Sequence, residues 1–176
     1  FLASFFCLPS KALAQPSQAE AARAMRRAVN FFRNSVSANG GYVYIVSADL
    51  TRREGEGKVG NSTAWIEPPA TPHVGMAYLK AYPLTGDPLL LTAARETAEA
   101  LRLGQLQSGG WDNRIEFDPE LRKKYAYRAD SRESAILRNT TTFDDDKSQS
   151  VIRFLLQLDR ELSFQDTAIH ETVCYA

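Results

Sequence analysis

The run Thr-Thr-Phe-Asp-Asp-Asp-Lys-Ser-Gln-Ser-Val-Ile-Arg-Phe-Leu-Leu-Gln-Leu-Asp, residues 141–159, sets three consecutive carboxylates directly before an apolar stripe. Val151, Phe154, Leu155, Leu158 and Leu162 recur at helical spacing, and Ile152 and Leu156 widen the stripe. The period predicts a helix with Asp144, Asp145 and Asp146 at or just before its N-terminus. One use of an acid there is capping, in which it accepts hydrogen bonds from free N–H groups and meets the positive end of the helix dipole. A single acid suffices for that. Three repel one another unless a cation or solvent relieves them. The other use is a hard-cation site, in which oxygen ligands hold calcium or magnesium.

Working outward, the same helix begins a hairpin. It starts at Lys147, turns near Ser163–Asp166 and returns from Thr167. An earlier pair has the same form. Thr71 is expected to cap a helix with Pro72 at its first position and Val74, Met76, Leu79 and Tyr82 on its buried side. The Thr85-Gly86-Asp87-Pro88 turn leads into a partner striped by Leu91, Ala94, Ala98 and Leu101. Before both, Ser17 and Glu20 form a capping box ahead of Ala22, Met25, Val29, Phe32 and Val36. Asn39-Gly40-Gly41-Tyr42 and Ser108-Gly109-Gly110-Trp111 each follow a helix, a sign of internal repetition. Recurrent helix pairs predict an all-α fold, an incomplete (α/α) toroid of antiparallel hairpins with long loops. Tyr42–Val46 reads as a short extended piece. Ser47–Ala70 reads as one long polar loop, carrying Trp65 and Glu67.

The chain has 176 residues, 44% of them hydrophobic and 24% charged, and a formal net charge of zero. That length supports one sizeable core. The zero net charge excludes a global field that would gather nucleic acid. Phe1–Leu8 is apolar and Ala12-Leu13-Ala14 has small-residue cleavage character, so residues 1–14 are expected to be a signal peptide truncated at its start. The apolar run is too short to span a membrane. A secreted or periplasmic monomer is expected. Removal of residues 1–14 leaves one cysteine, Cys174, expected to be buried and inert. His73 is expected to be structural.

Between Trp111 and Arg138 runs a basic, tyrosine-bearing loop with Arg114, Arg122, Lys123, Lys124, Tyr125, Tyr127, Arg128, Arg132 and Arg138. Guanidinium forks hold carboxylates, and aromatic faces stack on sugar rings. Trp111, Arg114, Tyr127 and Arg128 are therefore the candidate substrate contacts. Acids beside a basic, aromatic loop suit an anionic sugar polymer bridged by a cation. They suit nucleic acid less, because the acids repel phosphate. Glu67, Glu116 and Asp118 are further candidate acids. No phosphate loop, serine elbow or zinc spacing is present.

Thr142-Phe143-Asp144-Asp145-Asp146-Lys147-Ser148, followed by Ile152-Arg153-Phe154-Leu155, resembles the family 10 polysaccharide lyases, pectate lyases with an (α/α) toroid. Those enzymes carry Thr-Ile-Asp-Asn-Gly-Ala-Thr before a helix with Ile-Arg-Phe-Leu at the same spacing. The likeness is best over residues 107–176 and weaker over 31–107. Asp145 stands where the family has Asn. Lys147 stands where it has a small Ala, and a lysine there neutralises an acid and weakens cation binding. The resemblance implies that residues 15–176 are the N-terminal part of a catalytic domain acting on polygalacturonate by calcium-assisted β-elimination. It implies Asp144 and Asp145 as metal-site residues and calcium as cofactor. The arginine base is expected beyond the end of this chain. Readings from other classes are a toroid glycoside hydrolase and a non-catalytic sugar-binding helical-repeat protein.

Overall fold

The computed structural model describes residues 15–131 and 136–176. The expected signal peptide at 1–14 and Arg132 lie outside the described residues. The Ser17–Glu20 capping box forms, with Glu20 N donating to Ser17 Oγ at 3.3 Å and Ser17 N to Glu20 Oε2 at 2.8 Å. It opens α1, Gln18–Phe31, which runs on into a π turn over Phe32–Val36. Four short strands follow: β1 (Ile45–Val46), β2 (Arg53–Glu54), β3 (Lys58–Val59) and β4 (Thr63–Trp65). Then come α2 (Thr71–Thr85), α3 (Pro88–Gly104), β5 (Arg114–Glu116), α4 (Pro119–Arg122), α5 (Lys147–Glu161) and α6 (Thr167–Tyr175).

Both helical hairpins are present, but the all-α expectation is overturned. The chain is mixed α/β, with an antiparallel sheet β1-β2-β3 and a two-stranded antiparallel sheet β4-β5. Strands of two or three residues are too short to show a period of two, so the expected polar loop at 47–70 conceals three of them. The β4–β5 pairing has a tertiary role. It matches Thr63 with Glu116, Ala64 with Ile115 and Trp65 with Arg114, joining the segment before α2 to the segment after α3. The first hairpin is thereby closed at its base.

The core lies among α2, α3 and α5. Val151, Phe154, Leu155 and Leu158 of α5 are all buried, as the stripe requires, beside Leu90, Leu101, Trp111 and Ile115. Full burial of each large apolar side chain contributes about 1.5–3 kcal/mol. Asp87 caps α3 by accepting from Leu89 N at 3.0 Å. Thr71 does not cap α2, whose N-cap is Ala70. Its hydroxyl instead accepts from Tyr42 N at 2.9 Å and donates to Tyr42 O at 3.0 Å, tying the helix start to the preceding loop.

The two Gly-Gly-aromatic segments take the same role. Gly40 and Gly109 hold φ of 84° and 99°, the left-handed region that a side chain would strain. The chain then delivers Tyr42 and Trp111 into the core. Among the described residues no helix is long and apolar enough to cross a membrane.

Candidate acidic site at the start of the fifth helix

None of the three acids caps α5. Asp144–Asp146 forms a single 3-10 turn, and the N-cap, Asp146, makes no side-chain cap bond. Asp145 and Asp146 both sit at positive φ, 47° and 59°. Aspartate tolerates that region better than most residues, at a cost of about 1–2 kcal/mol each. Asp146 pairs with Arg153, two turns further along the helix.

Asp144 and Asp145 converge on Lys147. The Lys147 side chain is 3% exposed, yet its ammonium lies 3.2 Å from Asp144 Oδ1, 3.2 Å from Asp145 Oδ2 and 3.1 Å from Glu67 Oε2. Burial pulls the ammonium toward release of its proton. The hydrogen bonds to Glu67, Asp144 and Asp145 outweigh burial and hold it above the ordinary lysine range. Asp144 and Asp145 remain 69% and 61% exposed, so the cluster opens to solvent on its acidic side.

A fourth carboxylate arrives from the first sheet. Glu56 lies in the turn between β2 and β3, and one carboxylate oxygen each of Glu56, Glu67 and Asp145 lie within 4.8 Å of one another. Gly55 makes that approach feasible, because a Cβ there would sit 2.3 Å from Trp65 Cε3. The β2–β3 turn therefore rests directly on the indole of β4. On the same strand pair, the Arg114 guanidinium stands 5.4 Å from the Trp65 ring centre. Tyr44 and Trp65 rings lie 6.0 Å apart, and Tyr44 Oη and Trp65 Nε1 are buried without a hydrogen-bond partner. Burial first, then the Glu67 carboxylate, push the Tyr44 hydroxyl well above its usual titration, so it stays protonated.

The donor set fits a hard cation in kind. All the groups are oxygen, and a calcium ion takes six to eight of them, water included. Four carboxylates face one ammonium, leaving formal negative charge to offset. The Lys147 ammonium competes for the same oxygens of Glu67 and Asp145.

The remaining expected contacts separate. Trp111 and Tyr127 are buried at 0% exposure and cannot stack on a substrate. Each satisfies its polar tip inside: Trp111 Nε1 donates to Leu101 O at 2.8 Å, and Tyr127 Oη accepts from Glu116 N at 3.0 Å. With its tip bonded, a large aromatic gains from full burial. Arg128 donates to Gln105 Oε1 at 3.1 Å and lies 4.2 Å over the Tyr175 ring. Arg122 bonds Leu103 O at 2.6 Å and pairs with Asp130 at 2.9 Å. Arg138 pairs with Asp112 at 2.8 Å. Much of the basic loop is thus used to fasten itself. Arg114, half-buried over Trp65, is the expected contact that borders the acidic cluster.

Among the further acids, Asp118 caps α4 through Glu120 N and Leu121 N at 2.9 and 3.1 Å. Glu116 is buried and accepts from Thr63 Oγ1 at 2.7 Å. Glu67 joins the site. Glu56 and Tyr44 were not singled out in the sequence, because only the folding of the sheet onto Trp65 brings them there. Comparison with protein-family models, with curated proteins and with solved structures finds no significant match to this chain.

Proposed function

We propose that this chain contributes a cation and uronate site to a secreted lyase that cleaves polygalacturonate by calcium-assisted β-elimination. The observation that carries the reading is the convergence of Glu56, Glu67 and Asp145 from three separate segments onto one point, with Asp144 beside them. Three acids that close repel one another, and a positive charge among them relieves that repulsion. Glu56, Glu67 and Asp145 are the residues that would hold the ion. When bound, calcium supplies Lewis-acid polarisation of a uronate carboxylate, which acidifies the proton on the adjacent ring carbon.

The chain's own groups have distinct parts. Lys147 holds Glu67, Asp144 and Asp145 in place and reduces their mutual repulsion. Arg114, presented on the face of Trp65, offers a guanidinium to a second uronate carboxylate. No base is assigned among the described residues.

A second reading, a sugar-binding protein without chemistry, is favoured by one observation: Lys147 already supplies a cation to three of the carboxylates. One experiment separates them. Electrophoresis of the chain through a gel containing polygalacturonate, with calcium or with a chelator, reads binding. Ultraviolet absorbance of the products reads the double bond that elimination creates. Retardation that requires calcium and disappears in Asp145→Asn supports the cation site, and absorbance growth supports the lyase. Retardation unchanged by chelation supports the sugar-binding reading. Free migration under both conditions contradicts both.

A further inference from the structure

A second cluster lies at the other end of α5. Asp159 is 1% exposed. Its Oδ2 stands 2.8 Å from His170 Nδ1 on α6, and its Oδ1 is buried without a hydrogen-bond partner. One turn further along α6, Cys174 Sγ lies 3.6 Å from His170 Nε2. Carboxylate, imidazole and thiol are therefore in line. Cys174 is exposed, contrary to the buried position expected from its apolar neighbours, and the His170 side chain is 47% exposed.

The geometry assigns the protons. A carboxylate accepts only, so Nδ1 carries the proton shared with Asp159, and Nε2 is left to accept from the thiol. A buried carboxylate with an unpartnered oxygen is costly unless its neighbour is cationic. Transfer of the Cys174 proton to His170 supplies that cation. Arg160, next to Asp159 on α5, is exposed. The Phe164 ring meets His170 edge-on at 6.1 Å. Asp166, the N-cap of α6, is taken by Arg95 of α3 at 2.6 Å. Arg128 lies over Tyr175. Glu171, beside His170 on α6, is exposed.

We propose that Cys174 is a reactive thiol and a modification site for small disulfides, with His170 accepting its proton and Asp159 positioning the ring. In the step, the Cys174 thiolate attacks one sulfur of the disulfide and a new S–S bond forms. The old S–S bond breaks, and the departing thiolate takes the proton from His170. Cys174 is oxidised, and the departing sulfur is reduced.

The test uses the full chain carrying Cys7→Ser, so that one thiol is read. Alkylation by iodoacetamide is timed at about pH 6.5 and about pH 9, on either side of ordinary thiol titration. The chain is expected to react about tenfold or more faster than His170→Gln at the lower pH and equally at the higher. Asp159→Asn should fall between the two, with circular dichroism checking its fold. Mass spectrometry after incubation with oxidised glutathione should show one mixed disulfide at Cys174, slowed by His170→Gln. Equal rates for the chain and His170→Gln at the lower pH overturn the proposal. So does a thiol that reacts at neither pH.

Discussion

At the N-terminal end of α5 a buried ammonium, Lys147, is held by exposed carboxylates; about 18 Å along the same helix a buried carboxylate, Asp159, faces an exposed imidazole. In both places the helix carries the buried charge. Its partners come from elsewhere, from a loop and the turn before the helix in one case and from α6 in the other. Isolated burial of either charge would cost several kcal/mol. The two ends differ in balance. The Lys147 end holds more negative charge than its ammonium offsets, which suits an added cation. The Asp159 end needs a single proton, which suits acid–base work on a thiol.

The change that should disturb both ends most is Phe154→Ala. Phe154 is fully buried midway between them. Its loss should cost about 3–5 kcal/mol in urea unfolding. A cost below about 1 kcal/mol would mean that the two ends are held independently of the core.

Lys147→Met acts on one end alone. It leaves Glu67, Asp144 and Asp145 without their cation. Because Asp144 and Asp145 are solvent-exposed, the expected loss is about 1–3 kcal/mol, short of the cost at a fully buried pair. Millimolar calcium should restore part of the lost melting temperature in this variant. Failure to restore any would place the ion elsewhere.

Glu116 sharpens the contrast, since it is a buried carboxylate whose nearest cation, Arg114, stands 3.9 Å away. Burial raises its titration, opposed by the Thr63 hydrogen bond and then by Arg114. The folded state therefore holds its proton more tightly than the unfolded state. Its contribution is favourable at acid pH and is lost as pH rises from the ordinary glutamate value through the raised one. Glu116→Gln should flatten that part of the stability–pH curve, as read by thermal melts.

Arg153→Ala, which removes the exposed partner of Asp146, should change stability by less than about 0.5 kcal/mol.

The helices were legible because their stripes repeat over several turns. Val151, Phe154, Leu155 and Leu158 announce α5, and Asp87-Pro88 announces the start of α3. The strands were not. Arg53–Glu54 and Lys58–Val59 are two-residue strands with no period to read, and the turn that joins them packs Gly55 against Trp65. Of the acidic site, Asp144, Asp145 and Glu67 carried a chemical signal in the sequence, whereas Glu56 reached it only through tertiary approach. Trp111 and Tyr127 misled for a definite reason. An aromatic flanked by charges reads as a surface platform, but internal partners at Leu101 and Glu116 let both rings be buried whole.

Calorimetric titration of calcium into the chain, Lys147→Met and Glu67→Gln tests the cation site most directly. One ion should bind the chain, binding should tighten in Lys147→Met, and it should weaken or vanish in Glu67→Gln. Heats indistinguishable from dilution in all three, or binding unaffected by either substitution, would contradict it.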